Sequence, residues 1–393
     1  MSGLSDLAGF PNQKSSDTLR CMRRREFLSH SIAAALGFSL SPLEVWLEDN
    51  PAEKKDRLAP PAPSFDILVS NISQQIPKVL DESLVPGLAI VLIRNGKVGW
   101  HRAFGIRDRG SKKPVEDDTI FEAASMGKPV FAYAVMKLCE RGVMNLDTPL
   151  TRYTPERYLE GDPRLDLITA RHVLSHTSGL QNWRSDKEPL AIHFTPGEKY
   201  MYSGEGYSYL QSVVRHLTGQ TLDQFMGANV FVPFGMASAG YVWNDRFEKR
   251  MAHPHDDKGQ PMENNKPVDV TRYGAAGELR VTAGDYAKFV LEVVNPKPSD
   301  AFRLTKASLG EMLRPHVKVD DQYSMSWGLG LEIQQKDNRT YLMHGGDNKG
   351  FHSFFAATSN GRFGYVMMTN GDNGSAVVKK LMMEHLNPFL AVA

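Results

Sequence analysis

The chain has 393 residues, 41% apolar and 23% charged, and its 46 Lys+Arg against 45 Asp+Glu leave a formal charge of +1. This composition excludes wholesale disorder and shows no basic excess for nucleic acid, and no apolar run reaches the ~20 residues of a membrane span. Two cysteines, Cys21 and Cys139, exclude a disulfide scaffold and a C-x-x-C metal site.

Residues 1–43 read as an address rather than a fold element. Met22-Arg23-Arg24-Arg25-Glu26-Phe27-Leu28 precedes an apolar stretch from Ser31 to Leu43. Charge first and a short apolar region second is the order of an export signal. The Arg24-Arg25 pair, backed by Phe27-Leu28, resembles the twin-arginine signal that a receptor of the export machinery reads. The expected destination is therefore periplasmic or secreted. Residues 44–64 form a linker, stiffened by Ala59-Pro60-Pro61-Ala62-Pro63.

A catalytic domain is expected over residues 65–390. Leu68, Ile72, Ile76 and Leu80 recur at helical spacing. Leu88 to Ile93 is a continuous apolar run, as in a strand covered on both faces. Asn95-Gly96 signals a two-residue hairpin turn, after which Lys97 to Phe104 returns. Thr119-Ile120-Phe121 reads as strand, and 126–141 as a helix closed by Gly142. The middle, about 145–315, is mostly helices and loops, with a capping-box start of Thr282 and Asp285 before a helix from Tyr286 to Val294. Strands return at Trp327 to Gln334, Tyr341 to His344, Phe351 to Ala357 and Phe363 to Thr369, and a last helix runs from about Ser375 to Leu386. Strands at both ends with helices between predict an α+β fold. In it one antiparallel sheet is covered by the terminal helices, and a mostly helical domain is inserted.

The chain lacks G-x-S-x-G, H-E-x-x-H, a P-loop and G-x-G-x-x-G. His253, His255, Asp256 and Asp257 lie in a Gly/Pro/Asn-rich stretch without helical ligand spacing and read as a solvated loop. The informative segment is Phe121-Glu122-Ala123-Ala124-Ser125-Met126-Gly127-Lys128-Pro129. A serine at a helix start has its amide in the positive end of the helix dipole. A lysine three residues later lies on the same face, and when buried it loses proton affinity and can accept the serine proton.

Two further segments accompany it: Tyr202-Ser203-Gly204, and His344-Gly345-Gly346 at the end of a predicted strand. With Leu174-Ser175-His176-Thr177-Ser178-Gly179-Leu180 between them, the chain resembles the class C β-lactamase-related serine hydrolases. That family includes β-lactamases, D-alanyl-D-alanine peptidases, D-aminopeptidases and esterases. The likeness runs from about Phe65 to about Leu386. It implies a β-lactamase/transpeptidase-like fold with a five-stranded antiparallel sheet, an acyl-enzyme mechanism, and no metal or organic cofactor.

The resemblance also implies roles. Ser125 matches the nucleophile, Lys128 the helix lysine and Tyr202 the tyrosine, with either Lys128 or Tyr202 as general base. His344 holds the position of the substrate-binding lysine, and Gly345 and Gly346 let substrate lie along the strand. The backbone N–H groups of Ser125 and Asp347 match the oxyanion hole. Gly204 departs from the family's Tyr-x-Asn, whose asparagine hydrogen-bonds the substrate amide. An unpaired buried polar group costs roughly 1–3 kcal/mol, which favours small esters or amides over a β-lactam or a D-alanyl peptide as substrate. A penicillin-binding sensor without turnover is the alternative of another class, and retention of Ser125, Lys128 and Tyr202 together argues against it. Glu205 is expected to face solvent, with pairing to Lys128 as the alternative. His176 reads as a structural hydrogen-bonding residue and His352 as a sheet-face residue. Of Trp100, Trp183, Trp243 and Trp327, Trp183 alone sits in a loop placed to border a pocket.

The export reading has a direct test. Arg24→Lys combined with Arg25→Lys should hold the protein in the cytoplasm on fractionation, because the receptor reads the guanidinium pair and not charge alone. An unchanged periplasmic yield would point to a general secretory signal instead.

Overall fold

The structure is a computed structural model that describes residues 64–391, so the export signal and the linker up to residue 63 lie outside the described residues. Ser64 caps the first helix by accepting from the Ile67 amide at 3.3 Å, and α1 runs Phe65–Glu82 with Leu68, Ile72, Ile76 and Leu80 buried along one side. β1 (Gly87–Arg94) turns into β2 (Lys97–Asp108) through Asn95 and Gly96, both at positive φ (51° and 71°), as a two-residue hairpin turn requires. β3 (Lys113–Pro114) and β4 (Phe121–Ala124) lead into α2 (Gly127–Glu140).

Residues 145–315 hold α3 (Gly204–Thr218), β5 (Leu279–Val281), α4 (Ala283–Val294) and several short helices joined by loops. Thr282 caps α4 by accepting from the Asp285 amide at 3.1 Å. The expected capping box is only half made: the Asp285 carboxylate turns to Ser238 and Lys288.

The chain then returns to strands: β6 (Val317–Asp320), β7 (Met325–Trp327), β8 (Glu332–Lys336), β9 (Arg339–Asn348), β10 (Phe351–Thr358) and β11 (Phe363–Thr369). α5 (Gly374–Leu381) follows, and the helical path continues through Leu386 to Leu390.

The main sheet is antiparallel in its pairings but has nine strands, in the order β3-β2-β1-β11-β10-β9-β8-β7-β6, and not five. The additional strands are short pieces at its two edges. One has a visible cause. The segment read as a single strand, Trp327 to Gln334, is broken by Gly328 and Gly330, and Gly330 has φ +91°. Trp327 therefore pairs back with Glu332 as a hairpin. The central strands β1 and β11 are buried almost end to end. Ala89, Val91 and Ile93 share a core with Tyr286, Phe289 and Val290 of α4. The alternate residues Leu88, Ile90 and Leu92 point to the other face, where α1 and α5 meet each other against the sheet. Among the described residues no helix is long and apolar enough to cross a membrane.

β4 and β5 form a separate two-stranded sheet. Its anchor is a buried ion pair. Arg280 on β5, fully buried, donates to Glu122 on β4 at 2.8 Å. Asn348 on β9 donates to the other Glu122 oxygen at 2.6 Å, and Ser353 on β10 donates to the Glu122 carbonyl at 3.1 Å. Glu122 thus joins the small sheet to the large one. Arg280→Ala would leave that carboxylate buried without its cation, and should lower unfolding stability in urea by roughly 3–5 kcal/mol. A loss under ~1 kcal/mol would show that water compensates the Glu122 charge.

Candidate active site

β4 ends at Ala124, whose φ of +48° is left-handed and uncommon for a residue with a Cβ. Met126 N–H donates to the Ala123 carbonyl at 3.0 Å and Lys128 N–H to the Ser125 carbonyl at 2.9 Å. This tight turn presents Ser125 two residues before α2 begins, rather than inside its first turn. Lys128, in the first turn, is fully buried, and its Nζ donates to Ser125 Oγ at 3.0 Å and to the Ala276 carbonyl. Burial alone pushes the Lys128 ammonium down to about 7.

Tyr202 stands just ahead of α3. Burial pushes its phenol well above the usual range, against the smaller opposing effect of its hydrogen bond with Ser125. Lys128 Nζ lies 4.7 Å from the centre of its ring. His176 fixes the tyrosine segment. Its Nδ1 accepts from the Ser203 amide at 3.0 Å, and its ring stacks on Tyr202 at 4.2 Å. Burial, then the Lys128 charge, holds the imidazole well below its ordinary pKa, so it stays neutral. Its place is structural, as the sequence implied.

β9 supplies the other wall. Its ladder to β8 ends where Met343 meets Glu332, but its ladder to β10 continues to Asn348 opposite Phe351. Residues 344–348 therefore extend beyond the end of the β8 ladder. Gly346 lies so close to β4 that a Cβ there would be 2.1 Å from the Ala123 carbonyl oxygen. This close approach brings Gly345, Gly346 and Asp347 alongside the Ser125 turn. The Asp347 carboxylate pairs with cross-strand His352, so the latter is more than a sheet-face residue. His344 is buried, its Nδ1 donates to the Gly345 carbonyl at 2.6 Å, and its ring meets Trp327 edge-on at 5.5 Å. Burial first, then the Lys128 charge, drives its pKa down to about 3.

The region around Gly204 differs from the sequence reading. Gly204 opens α3, and the space beside it is taken: a Cβ would lie 2.3–2.7 Å from ring atoms of Trp183. An asparagine at 204 could fit only with the indole displaced, so it would not simply restore the family contact. Glu205 neither faces solvent nor pairs with Lys128. It is fully buried and accepts from Arg184 Nη2 at 2.6 Å, the Arg184 amide at 3.1 Å and the Tyr158 hydroxyl at 2.7 Å. Burial pushes its carboxyl up, and these bonds outweigh it, leaving the pKa below the usual range. Sequence reasoning missed this group, Trp327 beneath the tyrosine, and the Ala276 carbonyl. Gln211 of α3 steadies the last of these by accepting from the Ala275 amide at 2.7 Å.

Among the described residues no group of three or more His, Cys, Asp or Glu could hold a metal. His255, expected in a solvated loop, is buried, with its Nδ1 on the Asn370 carbonyl at 2.9 Å.

A family model described as Beta-lactamase matches residues 72–384. Esterase EstB of Burkholderia gladioli is 31% identical over 243 residues, covering 53% of this chain and 61% of the esterase. The match thus spans less than two thirds of that relative. A penicillin-binding protein of Bacillus subtilis (strain 168) is 24% identical over 336 residues, 76% of this chain and 71% of that one. Among solved structures, the octameric penicillin-binding protein homologue from Pyrococcus abyssi matches with TM-score 0.69 at 22% identity, covering 80% of this chain and 76% of its own. The D-alanine carboxypeptidase AmpC from Burkholderia cenocepacia matches with TM-score 0.67 at 19% identity, covering 81% and 99%. At these identities the two structures share the fold.

The Lys128 environment predicts a pH dependence. Its pKa is lowered to about 7, so the amine is charged below that pH and free to accept a proton above it. The rate at which a fluorophosphonate labels Ser125 should therefore rise as pH increases from 6 to 8 and then level off. A rate flat across that window would mean that Lys128 does not control the serine.

Proposed function

The chain belongs to the beta-lactamase family, a family of serine hydrolases, and from that premise we propose that it is an exported hydrolase of small esters or amides acting through an acyl-enzyme at Ser125. The observation that carries the reading is the 3.0 Å contact of Lys128 Nζ with Ser125 Oγ, made by a buried lysine whose pKa lies near 7. The likeness to an esterase over part of the chain supports the ester preference.

The opposite pKa shifts of Lys128 and Tyr202, with the Lys128–Ser125 contact, support the following division of their parts. A neutral amine keeps two N–H bonds and a lone pair. One N–H holds the Ala276 carbonyl, and the lone pair takes the Ser125 proton as Oγ bonds to the substrate carbonyl carbon. The amides of Ser125 and Asp347 receive the negative charge that develops on the carbonyl oxygen. The Tyr202 phenol, kept protonated by burial, donates to the departing alkoxide as the carbon–oxygen bond breaks, and recovers its proton from the Lys128 ammonium. Water then attacks the acyl carbon, gives its proton to the same base and releases the acid, and Ser125 is reprotonated. His344, neutral and buried, brings polarity but no charge to the substrate side.

The ester preference rests on position 204. A β-lactam presents an acylamino group that needs a partner, and here an indole occupies that place. Short-chain p-nitrophenyl esters should exceed a chromogenic cephalosporin by at least about tenfold in kcat/KM, the equivalent of one unpaired polar group. Ser125→Ala should retain its fold and lose both ester turnover and fluorophosphonate labelling. Ester turnover by the alanine variant at near the wild-type rate would refute the nucleophile assignment. Cephalosporin turnover as fast as ester turnover would make the protein a β-lactamase. A stable penicillin label without any turnover would make it a sensor.

A further inference from the structure

Trp183 stands out from the other aromatic residues near the site. Trp327, beneath Tyr202, is 2% exposed, whereas Trp183 is 40% exposed although it lies against Gly204, two residues from Tyr202. A side chain held in the open at that place is not there to fill a core. Its other neighbour is Tyr273, met edge-on at 5.2 Å.

The segment that carries it is fastened to the start of α3 on both sides of the indole. Before it, Asn182 Oδ1 accepts from the Gly204 amide at 2.9 Å, and the Asn182 carbonyl accepts from the Glu205 amide at 2.9 Å. After it, the Arg184 amide and guanidinium both donate to the Glu205 carboxylate, at 3.1 and 2.6 Å. Arg272 approaches the same carboxylate at 3.7 Å and lies over the Tyr273 ring at 4.8 Å. A buried carboxylate with two arginines and a tyrosine hydroxyl on it has few other positions available, so the loop and its indole have few as well.

We propose that Trp183 determines acyl-group specificity and that Glu205 is the residue that positions it. This rests on the hydrolase reading above. The indole closes the acyl side of the cleft with an apolar wall in the space where a side chain at 204 would otherwise reach the substrate. Asn182 cannot take over as a hydrogen-bonding partner through its oxygen, which the Gly204 amide already uses. The substrate class is an ester with a short, unbranched acyl group that carries no acylamino substituent.

The test is the ratio of kcat/KM for p-nitrophenyl octanoate to that for p-nitrophenyl acetate, measured in wild type, Trp183→Ala, Trp183→Phe and Glu205→Gln. Removing the wall should raise the ratio by about tenfold or more in Trp183→Ala, with a smaller rise in Trp183→Phe. Glu205→Gln keeps the shape but drops the charge that holds both arginines, and should move the ratio in the same direction. A purely structural Glu205 would lower the melting temperature and leave the ratio where it was, which would overturn its positioning role. A Trp183→Ala ratio within about twofold of wild type would overturn the specificity role. If Trp183→Ala does not melt cooperatively, Trp183→Phe decides by the same ratio, read also as relative labelling rates of short- and long-alkyl fluorophosphonates. Labelling of Ser125 separates the two readings. A wild type that neither labels nor hydrolyses esters refutes the hydrolase and this inference with it. A wild type that does both, with ratios unmoved in the variants, refutes this inference alone.

Discussion

Lys128 is buried with no carboxylate among the described residues paired to its ammonium, and burial lowers its pKa. A charged amine in that position would have to give up its hydration for a hydroxyl and a carbonyl. The site resolves this by making the neutral form accessible, and the other reacting groups are arranged consistently with that. His176 and His344 are both held neutral, by burial first and by the Lys128 charge second. The Tyr202 phenol is kept protonated. Glu332, the buried carboxyl on β8, is raised to about 8 and is uncharged at neutral pH. Carboxylates around the cleft are paired: Glu122 with Arg280, Glu205 with Arg184 and Asp347 with His352. Ser125, Lys128 and Tyr202 therefore sit among groups that are neutral or paired. Fixed backbone donors act most strongly in such surroundings.

That arrangement depends on how two sheets meet. Ser125 is presented by a strained turn at the end of β4, and Ala124 at positive φ persists only if its surroundings hold it. Gly346 supplies one constraint by letting β9 approach the Ala123 carbonyl more closely than any side chain would permit. Glu122 supplies another, since Arg280, Asn348 and Ser353 reach it from three different strands. Local strain beside Ser125 is thus supported by long-range contacts.

The features legible in the sequence were those with local causes. The Asn95-Gly96 turn, the apolar runs of β1 and β11, and a serine followed by a lysine one helical turn later all announce themselves within a few residues. The Ser-Tyr-His segments were legible as a set because the resemblance joined them. What was not legible depends on partners far along the chain. Glu205 reads as a surface residue until Arg184, 21 residues away, closes on it, and Arg280 meets Glu122 across 158 positions. One of the additional strands escaped notice for a smaller reason. Leu329 and Leu331 are fully buried, so the apolar pattern runs unbroken through a stretch whose two glycines turn the backbone around.

Position 204 shows how a departure from a family pattern can be misread when it is taken alone. As a sequence difference, glycine for asparagine looks like the loss of a hydrogen-bonding group. In the folded chain the indole of Trp183 lies where the side chain would begin, so a larger residue needs the ring to move. The indole in its present place and a side chain at 204 compete for one space, and Glu205 ties the segment bearing Trp183 to the helix that Gly204 opens. Substitutions at 183, 204 and 205 must therefore couple, as side chains sharing one space do. A side chain placed at 204 by itself meets an occupied site, and a vacancy at 183 by itself leaves a gap that nothing polar lines. Only a change at both positions together would convert one kind of wall into the other, so the specificity proposed for this site belongs to the pair and to the clamp that holds it.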